Sequence, residues 1–174
     1  MHKVMICGCG GSGKSQLARD LGRQLGLPVT HLDMEFYDDD WTPLDQESFA
    51  ERQQQLVADE KWIIDGNYAS TMPTRLATAD TVIFLDLPAR TCLWGILQRR
   101  RHHRGHDALS RHLRGRLNWG FVKYILGYRR TMRPKVQGLI AEHATGTVHT
   151  LRSRRQVRRF LASLDQTDSA RAEP

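Results

Sequence analysis

The octapeptide Gly8-Cys9-Gly10-Gly11-Ser12-Gly13-Lys14-Ser15 fits G-x-x-x-x-G-K-[ST] in full and follows a short apolar run, Val4 to Cys7, at the head of the chain. Few octapeptides dictate their surroundings so closely. The glycines allow successive backbone N–H groups to turn inward around phosphate oxygens, a lysine at the seventh position reaches the β- and γ-phosphates, and the hydroxyl after it is offered to Mg²⁺. A strand must precede such a loop and a helix must follow it, so that the helix dipole adds to the anion site. Leu17, Leu21 and Leu25 recur at helical spacing while Arg19, Asp20 and Arg23 face outward, which supplies the second half of that context. The candidate nucleotide-binding set is therefore Gly8, Gly10, Gly11, Ser12, Gly13, Lys14, Ser15 and Gln16, with Lys14 also a candidate catalytic group.

Beyond the loop, short apolar runs alternate with helical patterns, the signature of a parallel sheet covered on both faces. Strands are expected at Lys3 to Cys7, Val29 to Leu32, Trp62 to Asp65, Thr81 to Leu85 and Val148 to Leu151. A helix opened by Thr42-Pro43, with Asp45 completing a cap-like S/T-x-x-D/E pattern, and one begun by Pro88 lie between them. Residues 102 to 116 are almost wholly polar and basic, with Gly105 and Gly115 as pivots, and read as a surface excursion. Two further helices are expected around Pro134, one from Leu117 to Thr131 presenting Trp119, Val122, Ile125 and Leu126, the other carrying Val136, Leu139 and Ile140. A last helix starts at Arg154. The organisation expected is one α/β domain over residues 1–164 and a frayed tail over 165–174.

The net charge of +7 is unevenly placed. Residues 99 to 133 hold eleven lysines and arginines against Asp107 alone, +10, which leaves −3 for the remainder. A basic block of this kind is a solvated face, a nucleic-acid patch or, beside a phosphate loop, a polyphosphate clamp. From Asp33 to Glu60, by contrast, ten acids face only Arg52. Cys7, Cys9 and Cys92 make an odd count, and two of them flank the loop, which suits a reducing cytoplasm. No apolar stretch approaches spanning length, so no membrane role is expected. Monomer and homodimer both remain open.

Phosphoryl transfer needs placed phosphates, a metal, and cations that follow charge onto the transferring group. Asp65, at the end of the third strand, is the candidate carboxylate to hold Mg²⁺ with Ser15; its other reading is a turn-forming Asp-Gly pair. Arg99, Arg100 and Arg101 end a helix, where cations complement the dipole, or one of them, for which Arg99 stands, points at the γ-phosphate and the nucleotide. Arg129, Arg130 and Arg133 crowd one helix, and a polyanion among them would relieve their repulsion.

GSGKS, HLD, WIIDGNY, TVIFLDLP, LWGILQRR and YRRTMRPKV occur in the order seen in adenylate-kinase-like P-loop kinases, over essentially residues 3 to 160. Within that group the chain resembles the bacterial proteins labelled DNA-topology-modulation proteins. The resemblance implies a three-layer P-loop NTPase fold with sheet order 2-3-1-4-5, ATP on the loop, and a basic lid over about 102–118 beginning after Arg99 to Arg101. It also implies phosphate contacts from the lid and from Arg129 to Arg133. Two departures bear on the acceptor. Where adenylate kinases supply an arginine for a monophosphate, this chain has His31-Leu32-Asp33-Met34-Glu35, and Asp33 stands where kinases of hydroxyl compounds carry a proton-accepting carboxylate. The arginine of the adenylate-kinase DGFPR run is lost in Asp65-Gly66-Asn67-Tyr68, with Arg75 as a substitute. The expected function is transfer of the γ-phosphoryl of ATP to a small-molecule hydroxyl, with Lys14, Asp33, Arg99, Arg129 and Arg133 as catalytic groups. The alternatives are an ATP-binding DNA-topology regulator, with weak, non-specific nucleic-acid contact, and a nucleoside-monophosphate kinase.

Overall fold

The architecture follows from which segments are apolar on both sides. In the computed structural model, which describes residues 1–38, 40, 42–102 and 119–169, five strands form one parallel sheet. They are β1 (Lys3–Gly8), β2 (Val29–His31), β3 (Trp62–Asp65), β4 (Thr81–Leu85) and β5 (Thr147–Leu151), in the order β2-β3-β1-β4-β5. The helices are α1 (Lys14–Leu25), α2 (Leu32–Glu35), α3 (Gln46–Ala58), α4 (Met72–Thr78), α5 (Ala89–His102), α6 (Trp119–His143) and α7 (Arg154–Ser169).

The central strands bury both faces, so their side chains alternate between two cores. Met5, Cys7, Ile64, Val82 and Phe84 pack with Phe49, Met72, Leu76 and Val136 under α3, α4 and α6. Val4, Ile6, Ile63, Ile83 and Leu85 pack with Leu17 and Leu21 of α1, and α7 adds Val157, Phe160 and Leu161. A third cluster, Cys9, Leu87, Cys92, Ile96, Ile125 and Tyr128, joins α5 and α6 to the phosphate loop. The register Ile6↔Asp65 and Gly8↔Leu85 brings the ends of β3 and β4 level with that loop.

Several boundaries depart from the sequence-based expectation. β2 stops at His31, and Leu32 turns its buried side chain inward as the first residue of α2. Asp45 is the cap of α3 rather than the partner of a Thr42 cap: its Oδ1 accepts the N–H groups of Glu47 and Ser48 at 2.9 Å each. Thr42 lies in a turn, donating its N–H to Asp38 Oδ1 at 2.7 Å. The helix α4, unforeseen, is only seven residues long. One 25-residue helix passes through Pro134 where two were expected, so that interior proline removes a ladder bond without ending the helix. Its buried stripe is Ile125, Tyr128, Val136 and Ile140, while Trp119 and Leu126 are exposed. α7 extends to Ser169, into the expected tail. Apart from His102 in α5, the expected lid lies outside the described residues, as do residues 170–174. Among the described residues no helix is long and apolar enough to cross a membrane.

Candidate active site

The loop between β1 and α1 adopts torsions that only glycine takes without strain: φ is +76° at Gly11 and +96° at Gly13. At Gly11 the space is closed as well, since a Cβ would stand 2.3 Å from the Cys92 carbonyl oxygen of α5. The reciprocal contact is as tight, because a Cβ on Gly95 would stand 2.3 Å from the Gly11 carbonyl oxygen. α5 is thus seated on the loop backbone. Phe121 of α6 covers its other flank, with Cζ 2.7 Å from where a Gly10 Cβ would lie.

The loop is also held from below. Asn67, just past β3, accepts the Gly8 N–H at 2.9 Å and donates to the Gly8 carbonyl at 2.8 Å, closing a two-bond clamp across 59 residues of sequence. Lys14 Nζ donates to the Cys9 carbonyl at 3.2 Å, across the top of the loop. The Ser12 hydroxyl is buried with no hydrogen-bond partner. A buried orphan hydroxyl inside a ring of backbone donors is a place for an anion's oxygen, and the loop fits a nucleotide's phosphates on that observation. Gln16 turns its side chain away, bonding Asp20 at 2.9 Å and Arg19 at 3.0 Å on the exposed face of α1; only its backbone remains for a phosphate.

Asp65 is 5 % exposed, at the C-terminal end of β3, the end of the sheet that bears the loop. Its Oδ2 meets His31 Nδ1 at 2.6 Å, and the Ser15 hydroxyl lies close enough to influence it. Burial alone would raise this carboxyl, but the His31 hydrogen bond, the charge of Lys14 and the Ser15 hydroxyl together hold it below the usual carboxylate range. An ionised carboxylate beside a serine hydroxyl is the oxygen donor set that Mg²⁺ takes, the metal filling its remaining positions with phosphate and water. Ser15 and Asp65 therefore fit as its protein ligands. His31, which orients Asp65, had no signal in the sequence beyond its place before Leu32-Asp33.

Just after β2, on α2, Asp33 is exposed and accepts the Tyr68 hydroxyl at 2.9 Å. Tyr68 is the one described non-glycine residue with positive φ, +37°. A bulky side chain held there costs about 1–2 kcal/mol. Its ring is fixed between Phe36 and Phe49 at centroid distances of 5.5 and 4.8 Å. Tyr124 of α6 reaches the same place, its hydroxyl against the Asn67 side chain and its ring stacked with Phe121 at 6.0 Å.

Two expected arginines are engaged elsewhere. Arg75 is fully buried, donating to the carbonyls of Gly66 at 2.8 Å, Asn67 at 2.6 Å and Tyr68 at 3.2 Å. Burial lowers its pKa to about 10, so it stays a cation at neutral pH. It therefore braces the post-β3 turn from behind and does not replace the lost acceptor arginine. Arg133 forms a two-pronged pair with buried Asp86 at 2.7 and 2.8 Å, and that bond raises its pKa further. Arg129 is exposed on α6, and the Arg99 side chain lies outside the described residues. Arg154 was overlooked by sequence reasoning: one guanidinium nitrogen lies 3.0 Å from the Cβ position of Gly95, on the flank of the loop. The cysteines are free thiols, and among the described residues no cluster of three or more His, Cys, Asp or Glu forms a metal centre.

No protein-family model and no curated protein matches the chain. Solved structures do share the fold. The shikimate kinase of Bacteroides thetaiotaomicron superposes with a TM-score of 0.60 at 16 % identity, over 95 % of this chain and 97 % of that one. The shikimate kinase of Acinetobacter baumannii, solved in complex with shikimate, gives 0.60 at 13 % identity over 100 % and 96 %. That of Aquifex aeolicus gives 0.52 at 14 % identity over 95 % and 97 %. The five-stranded P-loop fold with order β2-β3-β1-β4-β5 is common to this chain and to them.

Proposed function

We propose that the chain is an ATP-dependent phosphotransferase acting on a small-molecule hydroxyl. The observation that carries this reading is the pairing of a phosphate loop with an exposed carboxylate: Gly8 to Ser15 with Asp65, and Asp33 bonded to the Tyr68 hydroxyl. Lys14, lifted from the Cys9 carbonyl, would follow charge as it builds on the β/γ-bridge, and the loop N–H groups would fix the phosphates. Mg²⁺ on Ser15 and Asp65 would supply charge neutralisation between phosphates. Asp33 would orient the acceptor hydroxyl and accept its proton late in a loose transition state. Arg99 and the lid would complete the cation set around the γ-phosphate, with Arg129 at its margin. The kinases sharing the fold agree with this reading, but the residues carry it.

The burial of Arg75 weighs against a nucleoside-monophosphate acceptor, and the commitment of Arg133 to Asp86 removes one cation from any nucleic-acid face. The test is ATP consumption against pooled metabolites, nucleosides and nucleotides, with Lys14→Ala as the control. A lost transition-state donor lowers turnover by ~10² to 10³. Equal turnover by the two proteins would remove the loop from the chemistry.

A further inference from the structure

Resting on the kinase reading above, we infer that the acceptor is a neutral or cationic polyhydroxyl compound, read by Asp33, Tyr68 and Tyr124, and not an anion. An anionic acceptor is held by cations, most specifically by a guanidinium that forms two parallel bonds to a carboxylate or phosphate. Three of the described arginines are engaged within the fold. Arg75 is buried against three carbonyls, Arg133 is bonded on both prongs to Asp86, and Arg52 pairs with Glu35 at 2.8 Å. On α6 the residues that face the loop are Phe121, Tyr124 and Tyr128; at ~100° per residue, Arg129 and Arg130 fall about a quarter and a half turn away.

What stands in their place is an array of neutral donors and one carboxylate. Asp33 is exposed and held at 2.9 Å by the Tyr68 hydroxyl, and Tyr68 keeps its position despite a φ of +37°. A strained residue persists where its surroundings over-determine it, and here the strain holds a hydroxyl on the presumed proton acceptor. Tyr124 brings a second phenol to the Asn67 amide, within electrostatic reach of Asp33. Phenols, an amide and a carboxylate are the partners of hydroxyl and ammonium groups; a carboxylate or phosphate placed among them would meet Asp33 as a like charge. A hydroxyl acceptor would be read through hydrogen bonds to these groups. Asp33 is the catalytic residue in this scheme, and Tyr124 a positioning residue for a second hydroxyl.

The full-length protein with Mg·ATP is presented with matched acceptors that differ in charge at one position: a pentitol against its aldonic acid, glucose against glucuronate, a nucleoside against its monophosphate. Phosphorylated product is quantified by mass spectrometry. The expected result is at least ~10²-fold higher kcat/KM for the neutral member of a pair. Asp33→Asn should lower that turnover by ~10² with little change in the KM for ATP. Tyr124→Phe should raise the acceptor KM several-fold and leave kcat and the ATP KM in place, a split that loss of structure would not produce. A preference for the anionic member, or robust AMP phosphorylation that survives Asp33→Asn, overturns the inference while leaving the kinase reading standing. ATP binding without transfer to any member overturns both.

Discussion

Gly95→Ala sets two magnitudes of opposite sign against each other. In an ordinary helix interior, replacing glycine by alanine stabilises by about 1 kcal/mol through propensity. Gly95 lies within α5, so local reasoning predicts a more stable protein. The structure predicts the reverse, because the new Cβ would be 2.3 Å from the Gly11 carbonyl oxygen, and that atom is backbone. Ordinary contact begins near 3.4 Å, so the helix and the phosphate loop must part by about 1 Å. The Arg154 guanidinium, at 3.0 Å, is the end of a flexible side chain and swings aside at little cost. Overpacking of this kind costs ~1 to 3 kcal/mol, and rigid backbone on both sides places it near the upper end. The net expectation is a loss of about 2 kcal/mol, or roughly 4–8 °C in Tm for a chain of this length. Function should suffer more. A displacement of about 1 Å in a positioning element costs ~10² in rate, so ATP turnover should fall further than stability alone accounts for. Urea unfolding and calorimetric titration with a non-hydrolysable ATP analogue measure the two effects separately. A variant that melts higher than wild type and binds the analogue equally well would refute the seating of α5 on the loop.

Arg75→Met should destabilise the fold by about 3 kcal/mol or more in urea unfolding, because three carbonyls that share one buried guanidinium would lose their donor. Loss of acceptor turnover at unchanged stability would instead return Arg75 to ligand binding. Asp80 accepts the N–H groups of His2 at 2.6 Å and Lys3 at 3.0 Å and the Thr81 hydroxyl at 2.7 Å, tying β1 to the start of β4. Slight burial raises its carboxyl, but these bonds outweigh it and hold the folded pKa below the unfolded value. Its contribution, about 1 kcal/mol after solvent screening, should therefore be complete above the unfolded pKa near 4 and vanish as pH falls through the folded one. Asp80→Asn should accordingly lower stability at pH 7 and converge with wild type as pH falls below the folded pKa; a gap that widened on acidification would show the sign to be wrong.

The phosphate loop, all five strands within a residue of their ends, and the parallel character of the sheet were readable from residues because each rests on a local rule, while the strand order came with the family resemblance. A loop that requires positive φ at Gly11 and Gly13 has few alternatives to glycine, and a strand buried on both faces must be apolar throughout, as Trp62-Ile63-Ile64 is. Where local rules competed, the sequence misled. Thr42 read as the opening of α3 with Asp45 as its partner, and only the bonds to Glu47 and Ser48 show Asp45 itself to be the cap. Pro134 reads locally as a helix boundary, yet packing on Val136 and Ile140 carries α6 through it.

The commitments of polar side chains were decided by tertiary structure alone. His31 meets Asp65, Asn67 clamps Gly8, Arg133 holds Asp86 and Arg75 folds back beneath its own turn, and three of these four join residues 34 to 59 positions apart. A charged residue's type states what it can bind, and its spacing states which face it occupies. Its actual partner depends on which opposite charge or carbonyl the fold brings within 3 Å and whether water is excluded there, since only desolvation makes one pairing outweigh the others. The residues of the phosphate loop are therefore written in the chain, whereas the partners that Arg75 and Arg133 take were decided only on folding.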